Sequence, residues 1–195
     1  MKYISLWKCF IIHQTTRHCI GCPGTLNSVE KQKRPDSLPE TTPVDVILEV
    51  AGYMTILGVW IFVLMHYPKL PDTIATHFNA LGEADGYGGK ASLFALPAIS
   101  TIMFAGITIL SRFPRVFNYP VKITPENALR QYTLAVRLLR ILKLAVVIMF
   151  GVIAMKTVQN AGDSGSGPGL WFLPFVLGIT FVPLFTYIYL ASKKK

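Results

Sequence analysis

Between Tyr67 and Lys90 the chain reads YPKLPDTIATHFNALGEADGYGGK, a stretch dense in groups that can do chemistry. His77 supplies an imidazole, Asp72, Glu83 and Asp85 supply carboxylates, and Thr73, Thr76, Asn79 and Lys90 add further polar groups. An imidazole titrates near neutral pH and serves as a general acid or base. With Asp72 and Asp85 it also makes a weak metal set, since imidazole and carboxylate suit zinc or a harder divalent ion. One histidine is thin for zinc, and the sequence holds no HExxH, GxSxG or P-loop. The alternative is structural. Asn79 and Asp85 beside glycines are ordinary turn formers, and the polar side chains can hydrogen-bond the turns of their own loop. Structural use is the stronger expectation, so no catalytic residue is assigned, a non-enzymatic protein is favoured and no cofactor is expected.

The elements that must hold this loop are apolar. The 195 residues are 52% hydrophobic and 15% charged, with a mean hydropathy of +0.46, against about 25% charged in an average globular domain. Disordered, collagen-like and disulfide-scaffold chains are excluded, because the chain holds only three cysteines and 15 glycines. Four stretches approach the ~20 apolar residues needed to span a bilayer: Val46 to His66, Ala91 to Ser111, Leu134 to Met155 and Leu170 to Ala191. The second and fourth carry no charge, and the first carries only Glu49 near its start. The third carries Arg137, Arg140 and Lys143 in its first half, expected to snorkel to the headgroups. The fold class expected is therefore an all-α membrane protein, four transmembrane helices with a compact extracytoplasmic loop between the first and second. That loop is read as a folded cap with a short extended piece at Ile74 to Asn79. The connection AGDSGSGPG, Ala161 to Gly169, reads as a plain flexible linker.

The net charge of +9 becomes a topology signal once the spans are placed. With the N-terminus inside, sixteen of the 19 basic residues lie on the inner side and only Lys69, Lys90 and Lys156 lie outside. The expectation is a bacterial inner (cytoplasmic) membrane protein with both termini cytoplasmic. No nucleic-acid module is present, so no nucleic-acid partner is expected; the partner of the basic groups is the bilayer with its anionic headgroups. Thr124-Pro125-Glu126 reads as a helix start, and the helix it opens carries Arg130, Arg137, Arg140 and Lys143 on one inner basic face. That face is read as a topology determinant or a docking surface for lipid or a cytoplasmic regulator. Pro97, Pro174 and Pro183 lie inside spans, where prolines kink helices. No Asp or Glu lies deep in a span, which counts against ion-coupled transport.

Residues 1–45 read as a flexible cytoplasmic leader, residues 46–191 as the membrane domain and residues 192–195 as a basic tail. Cys9, His13, His18, Cys19 and Cys22 could ligate zinc, but their spacing fits no finger. An incidental tail is the preferred reading, and a second reading is that the true start codon lies further down the chain.

Leu70-Pro71-Asp72, Thr76-His77-Phe78-Asn79, Gly82, Asp85-Gly86 and Gly89-Lys90 resemble a bacterial membrane domain of unknown function (number 1648). That domain's pattern is approximately LPxxIPxHFNxxGxxDxxGxK, and Ala75 stands where its proline is usual. The resemblance covers Val46 to Ser111. It is similar to the N-terminal part of SdpI-type proteins, which confer immunity to a secreted killing peptide and relay its presence to a cytoplasmic repressor. Such proteins have six spans against the four read here. The resemblance implies a membrane place and an immunity or envelope-signalling context, with a secreted peptide outside or a cytoplasmic regulator inside as partner, and it allows a homo-oligomer. The alternative function is a metal-dependent membrane enzyme or small transporter component.

Overall fold

The computed structural model describes residues 41–161 and 167–193. The leader cluster from Cys9 to Cys22 lies outside the described residues. Helix α1 spans Pro43–His66. Pro43 stands at its first position, where the missing N–H costs nothing, and Asp45 Oδ2 accepts bonds from the N–H and hydroxyl of Thr42 (2.9 and 2.7 Å). Its buried residues, Asp45, Gly52, Val59 and Val63, form one stripe at near-heptad spacing. Helix α2 spans Ala95–Leu110, α3 Ala128–Gln159 and α4 Phe172–Ser192. These helices, with the short 3₁₀ turns that extend the first two, are long and apolar enough to cross a membrane.

The helices run up, down, up, down. Thr42 and Asp45 at the start of α1 meet Arg137 near the start of α3. Thr108 near the end of α2 meets Lys143 of α3, and Ala191 near the end of α4 meets Gln131. Helix α3 touches all three others and is the centre of the bundle. At 32 residues it is ~48 Å long, well beyond the ~30 Å hydrocarbon thickness. Small residues let the helices approach. A Cβ at Gly52 would lie 2.5 Å from the Phe104 ring, and one at Gly151 would lie 2.9 Å from Val59. Phe104, Val59 and Val147 fill the middle of the bundle, and Trp60 Nε1 donates to the Thr101 hydroxyl (3.1 Å) beside them. Large apolar side chains on the outer faces of α1, α2 and α4 remain exposed, as helices in lipid require.

Three expectations change. The chain is not all-α: the loop after α1 is an antiparallel hairpin of β1, Thr73–Phe78, and β2, Ala84–Gly89. β-Branched Thr73, Ile74 and Thr76 favour extension in β1. β2 reads ADGYGG, and its glycines admit the partner strand: a Cβ at Gly86 would come within 2.9 Å of His77 Cβ, and one at Gly88 within 2.9 Å of Thr76 Cγ2. Second, Pro97 and Pro174 sit in the first turns of α2 and α4, where no N–H is missed, and only Pro183 is interior. The helix expected at Thr124 starts one turn later. Thr124 to Asn127 form a turn whose carbonyl at Thr124 accepts the N–H of Ala128 (2.9 Å), and the Thr124 hydroxyl holds the Glu126 carboxyl below the usual carboxylate range.

Candidate functional site

The hairpin end of the bundle gathers the loop motif. Leu70, Ile74 and Leu93 are buried with Val63 of α1 and Ala154 of α3, which seats the hairpin on the helix ends. The register pairs Ala75 with Tyr87, His77 with Gly86 and Phe78 with Ala84, with irregularities on either side of His77. Such bulges re-aim side chains, and here the His77 Nδ1 and Asp85 Oδ1 atoms lie 2.5 Å apart. The pair faces solvent, 73% and 43% exposed. Asp72 instead pairs with Lys90 (2.9 Å) at the other end of the hairpin. Asn79 shapes the turn: its Oδ1 accepts the N–H groups of Leu81 and Glu83, and its Nδ2 donates to Glu83 (2.9, 3.0 and 3.0 Å). Gly82 closes it with φ of 77°, a conformation that favours glycine.

The polar motif residues thus bond to one another along the hairpin. His77 and Asp85 come together; Asp72 does not join them. Among the described residues no three His, Cys, Asp or Glu side chains group to hold a metal ion. Beneath β1 lies a groove of about 420 Å³, lined by Ile74, Phe78, Leu96, Ile99, Ile153 and Phe172 among others. The connection expected to be a plain linker is tied in at its described residues: Gly169 N–H donates to Gly82 O (3.2 Å), and Asn160 Nδ2 to Gly167 O (3.0 Å).

The opposite end carries a feature that hydropathy hides. Asp45 and Glu49 stand one turn apart on α1, opposite Arg137, Arg140 and Lys143 of α3. Arg137 Nε donates to Asp45 (3.2 Å), Arg140 bridges Asp45 and Glu49 (3.0 and 3.1 Å), and Lys143 Nζ reaches Glu49 (2.5 Å) and the Thr108 hydroxyl (2.9 Å). Asp45 is 1% exposed, Arg140 14% and Lys143 0%. Lys143 also lies over the Phe104 ring, 4.4 Å from its centroid, a cation–π contact. The inner basic face is therefore not one outward surface. Three of its residues turn into the bundle, because two carboxylates on α1 receive them. The fourth, Arg130, donates to the carbonyls of Leu190 and Lys193 (2.6 and 2.8 Å), satisfying groups that the end of α4 leaves open. Sequence reading missed Asp45 and Thr108 and placed Glu49 only as a boundary charge. The available signal was spacing: carboxylates at i and i+4 on one helix against cations at i, i+3 and i+6 on another.

Residues 54–101 match the domain of unknown function DUF1648. An uncharacterized protein of the archaeon Archaeoglobus fulgidus is 31% identical over 148 residues, covering 68% of this chain and 79% of the relative. The chain belongs to the DUF1648 family. The DUF1648 match runs from the middle of α1 through the hairpin into α2, and so contains every residue of the outer motif. It stops before the cations of α3, although the aligned length shared with the archaeal relative exceeds the match. No solved structure matches the chain.

Proposed function

We propose that this DUF1648 protein is a non-enzymatic, multi-pass protein of the cytoplasmic membrane, with its hairpin outside and both termini inside. Its hairpin groove takes up a secreted peptide, giving immunity to it or reporting its presence across the envelope. The groove beneath β1 is the observation that carries this reading. It is mostly apolar, it lies where the hairpin meets α2, α3 and α4, and the polar residues around it bond to one another instead of converging on one reacting atom. A peptide side chain can bury there while main-chain bonds to a hairpin edge orient it, the usual division of labour in strand addition. The loop's resemblance to SdpI-type immunity proteins supports the same context.

A second reading rests on the exposed His77–Asp85 pair. A carboxylate that orients an imidazole is an acid–base arrangement, and it would make the hairpin the site of a membrane enzyme or of a small transporter component. One experiment separates the two. In a strain lacking its own copy, the double variant Ile99→Trp/Ile153→Trp fills the groove, and His77→Asn removes the titrating group. Membrane abundance and sensitivity to purified secreted peptides are measured for each. The groove-filled variant is expected to accumulate normally and lose protection, while His77→Asn keeps both. Full protection from the groove-filled variant overturns the peptide reading. Loss of protection at normal abundance in His77→Asn moves the function to the imidazole.

A further inference from the structure

At the end of the bundle away from the hairpin, α1, α2 and α3 flank an open cavity of about 590 Å³. Glu49, Tyr53, Thr108, Ser111, Arg112 and Arg140 line it. Its charge is unbalanced. Arg112, Arg137, Arg140 and Lys143 cluster about two carboxylates, Asp45 and Glu49, and those are already engaged by the three cations of α3. The Arg112 guanidinium has no carboxylate partner among the described residues. Arg112 is exposed at the rim while Arg140 and Lys143 are largely buried beneath it; cations gathered this closely repel one another, and an anion in the cavity offsets that cost. Two guanidinium groups and the Tyr53 hydroxyl make a donor set that suits tetrahedral oxyanions; the Thr108 and Ser111 hydroxyls already donate to the carbonyls of Phe104 and Thr108.

The geometry points to this cavity as a binding site for a phosphate group, and specifically for the headgroup phosphate of an anionic phospholipid. The flanking surface favours a lipid over free phosphate. Val46, Ile47, Val50, Ile109, Leu110 and Phe113 are exposed large apolar side chains on the same ends of α1 and α2, so acyl chains can lie along the helices while the phosphate sits inside. The level also fits: Glu49 lies in the second turn of α1 and Thr108 in the last turn of α2, near the headgroup depth of a bilayer-spanning helix. This site is separate from the hairpin and does not depend on what the hairpin binds.

The test is native mass spectrometry of the full-length protein in detergent, with added phosphatidylglycerol or phosphatidylcholine and with excess inorganic phosphate as competitor. Arg112→Gln removes the unpaired guanidinium without touching the pairs between α1 and α3, and Arg112→Lys keeps the charge. One phosphatidylglycerol is expected to stay bound in preference to phosphatidylcholine. Arg112→Gln should weaken it about tenfold or more, the loss of one charge-assisted hydrogen bond, and Arg112→Lys should retain most of it. Displacement of the lipid by inorganic phosphate would assign the site to free phosphate and overturn the lipid proposal. No preference for the anionic lipid, or equal binding by Arg112→Gln with an unchanged thermal midpoint, would overturn the site altogether.

Discussion

Lys143 has no solvent exposure, and its ammonium is held by Glu49, by the Thr108 hydroxyl and by the face of Phe104. A buried ammonium costs several kcal/mol unless its protons find partners, and removing one member of such a pair leaves the other charge stranded. Lys143→Met should therefore lower stability in detergent by about 3 kcal/mol, and Glu49→Gln should lower it as well. Combined, the two should cost less than their sum by about 1–2 kcal/mol, the mark of residues in contact. Thermal unfolding of the four proteins in this cycle checks it, and strict additivity would show that the two do not interact. The exposed His77–Asp85 pair stands in contrast, since solvent-facing ion pairs contribute about 0–1 kcal/mol. At this scale the outer motif was legible, because its partners are near neighbours: Asn79 with Glu83, His77 with Asp85. The charge pairs were not. Asp45 and Arg137 are 92 residues apart, and no local window of hydropathy joins them. The three cations expected to snorkel to the headgroups instead turn to α1, and Lys143 among them is fully buried.

Helix α1 presents two glycines in opposite settings. A Cβ at Gly52 would strike the Phe104 ring, whereas a Cβ at Gly58 meets nothing within 4 Å. Gly52→Ala should force α1 and α2 apart and cost about 1–3 kcal/mol, the range for overpacking. Gly58→Ala should instead be neutral or stabilising by up to about 1 kcal/mol, because alanine is the better helix former. Thermal midpoints of the two variants decide, and a larger loss at Gly58 would mean that the α1–α2 contact is misplaced. The helices themselves were readable as long apolar runs with ends shifted by about a turn, and the polar first turns of α3, which hydropathy alone leaves out, were read from the helix-start signal at Thr124 to Glu126. The hairpin was only half readable. Ile74 to Asn79 has strand-forming residues, but β2 is ADGYGG, with no apolar alternation to mark it. Its extended form comes from close approach to β1, a tertiary cause that composition describes only as a Gly-rich turn.

The up-down order of four helices puts the start of α1, the end of α2, the start of α3 and the end of α4 at one end of the bundle, and the hairpin at the other. The proposed orientation, with this end in the cytoplasm, rests on charge. Basic residues are retained on the cytoplasmic side when loops are short, and sixteen of the 19 fall in segments that join the end away from the hairpin. Arg137, Arg140 and Lys143 are neutralised by α1 in the folded state, and under the proposed orientation their influence is exerted during insertion, before α3 has packed. Removing all three still leaves Arg112, Arg115, Lys122 and Arg130 between α2 and the early turns of α3, so the bias survives the pairing. Reporter fusions after residues 80 and 163 should therefore read outside, and fusions after residue 122 and at the C-terminus should read inside. The fusion after residue 122 is the most informative, because it follows two complete spans and lies in the densest basic segment. An outside signal there would invert the bundle, and with it would place the groove beneath β1, proposed to take a secreted peptide, in the cytoplasm.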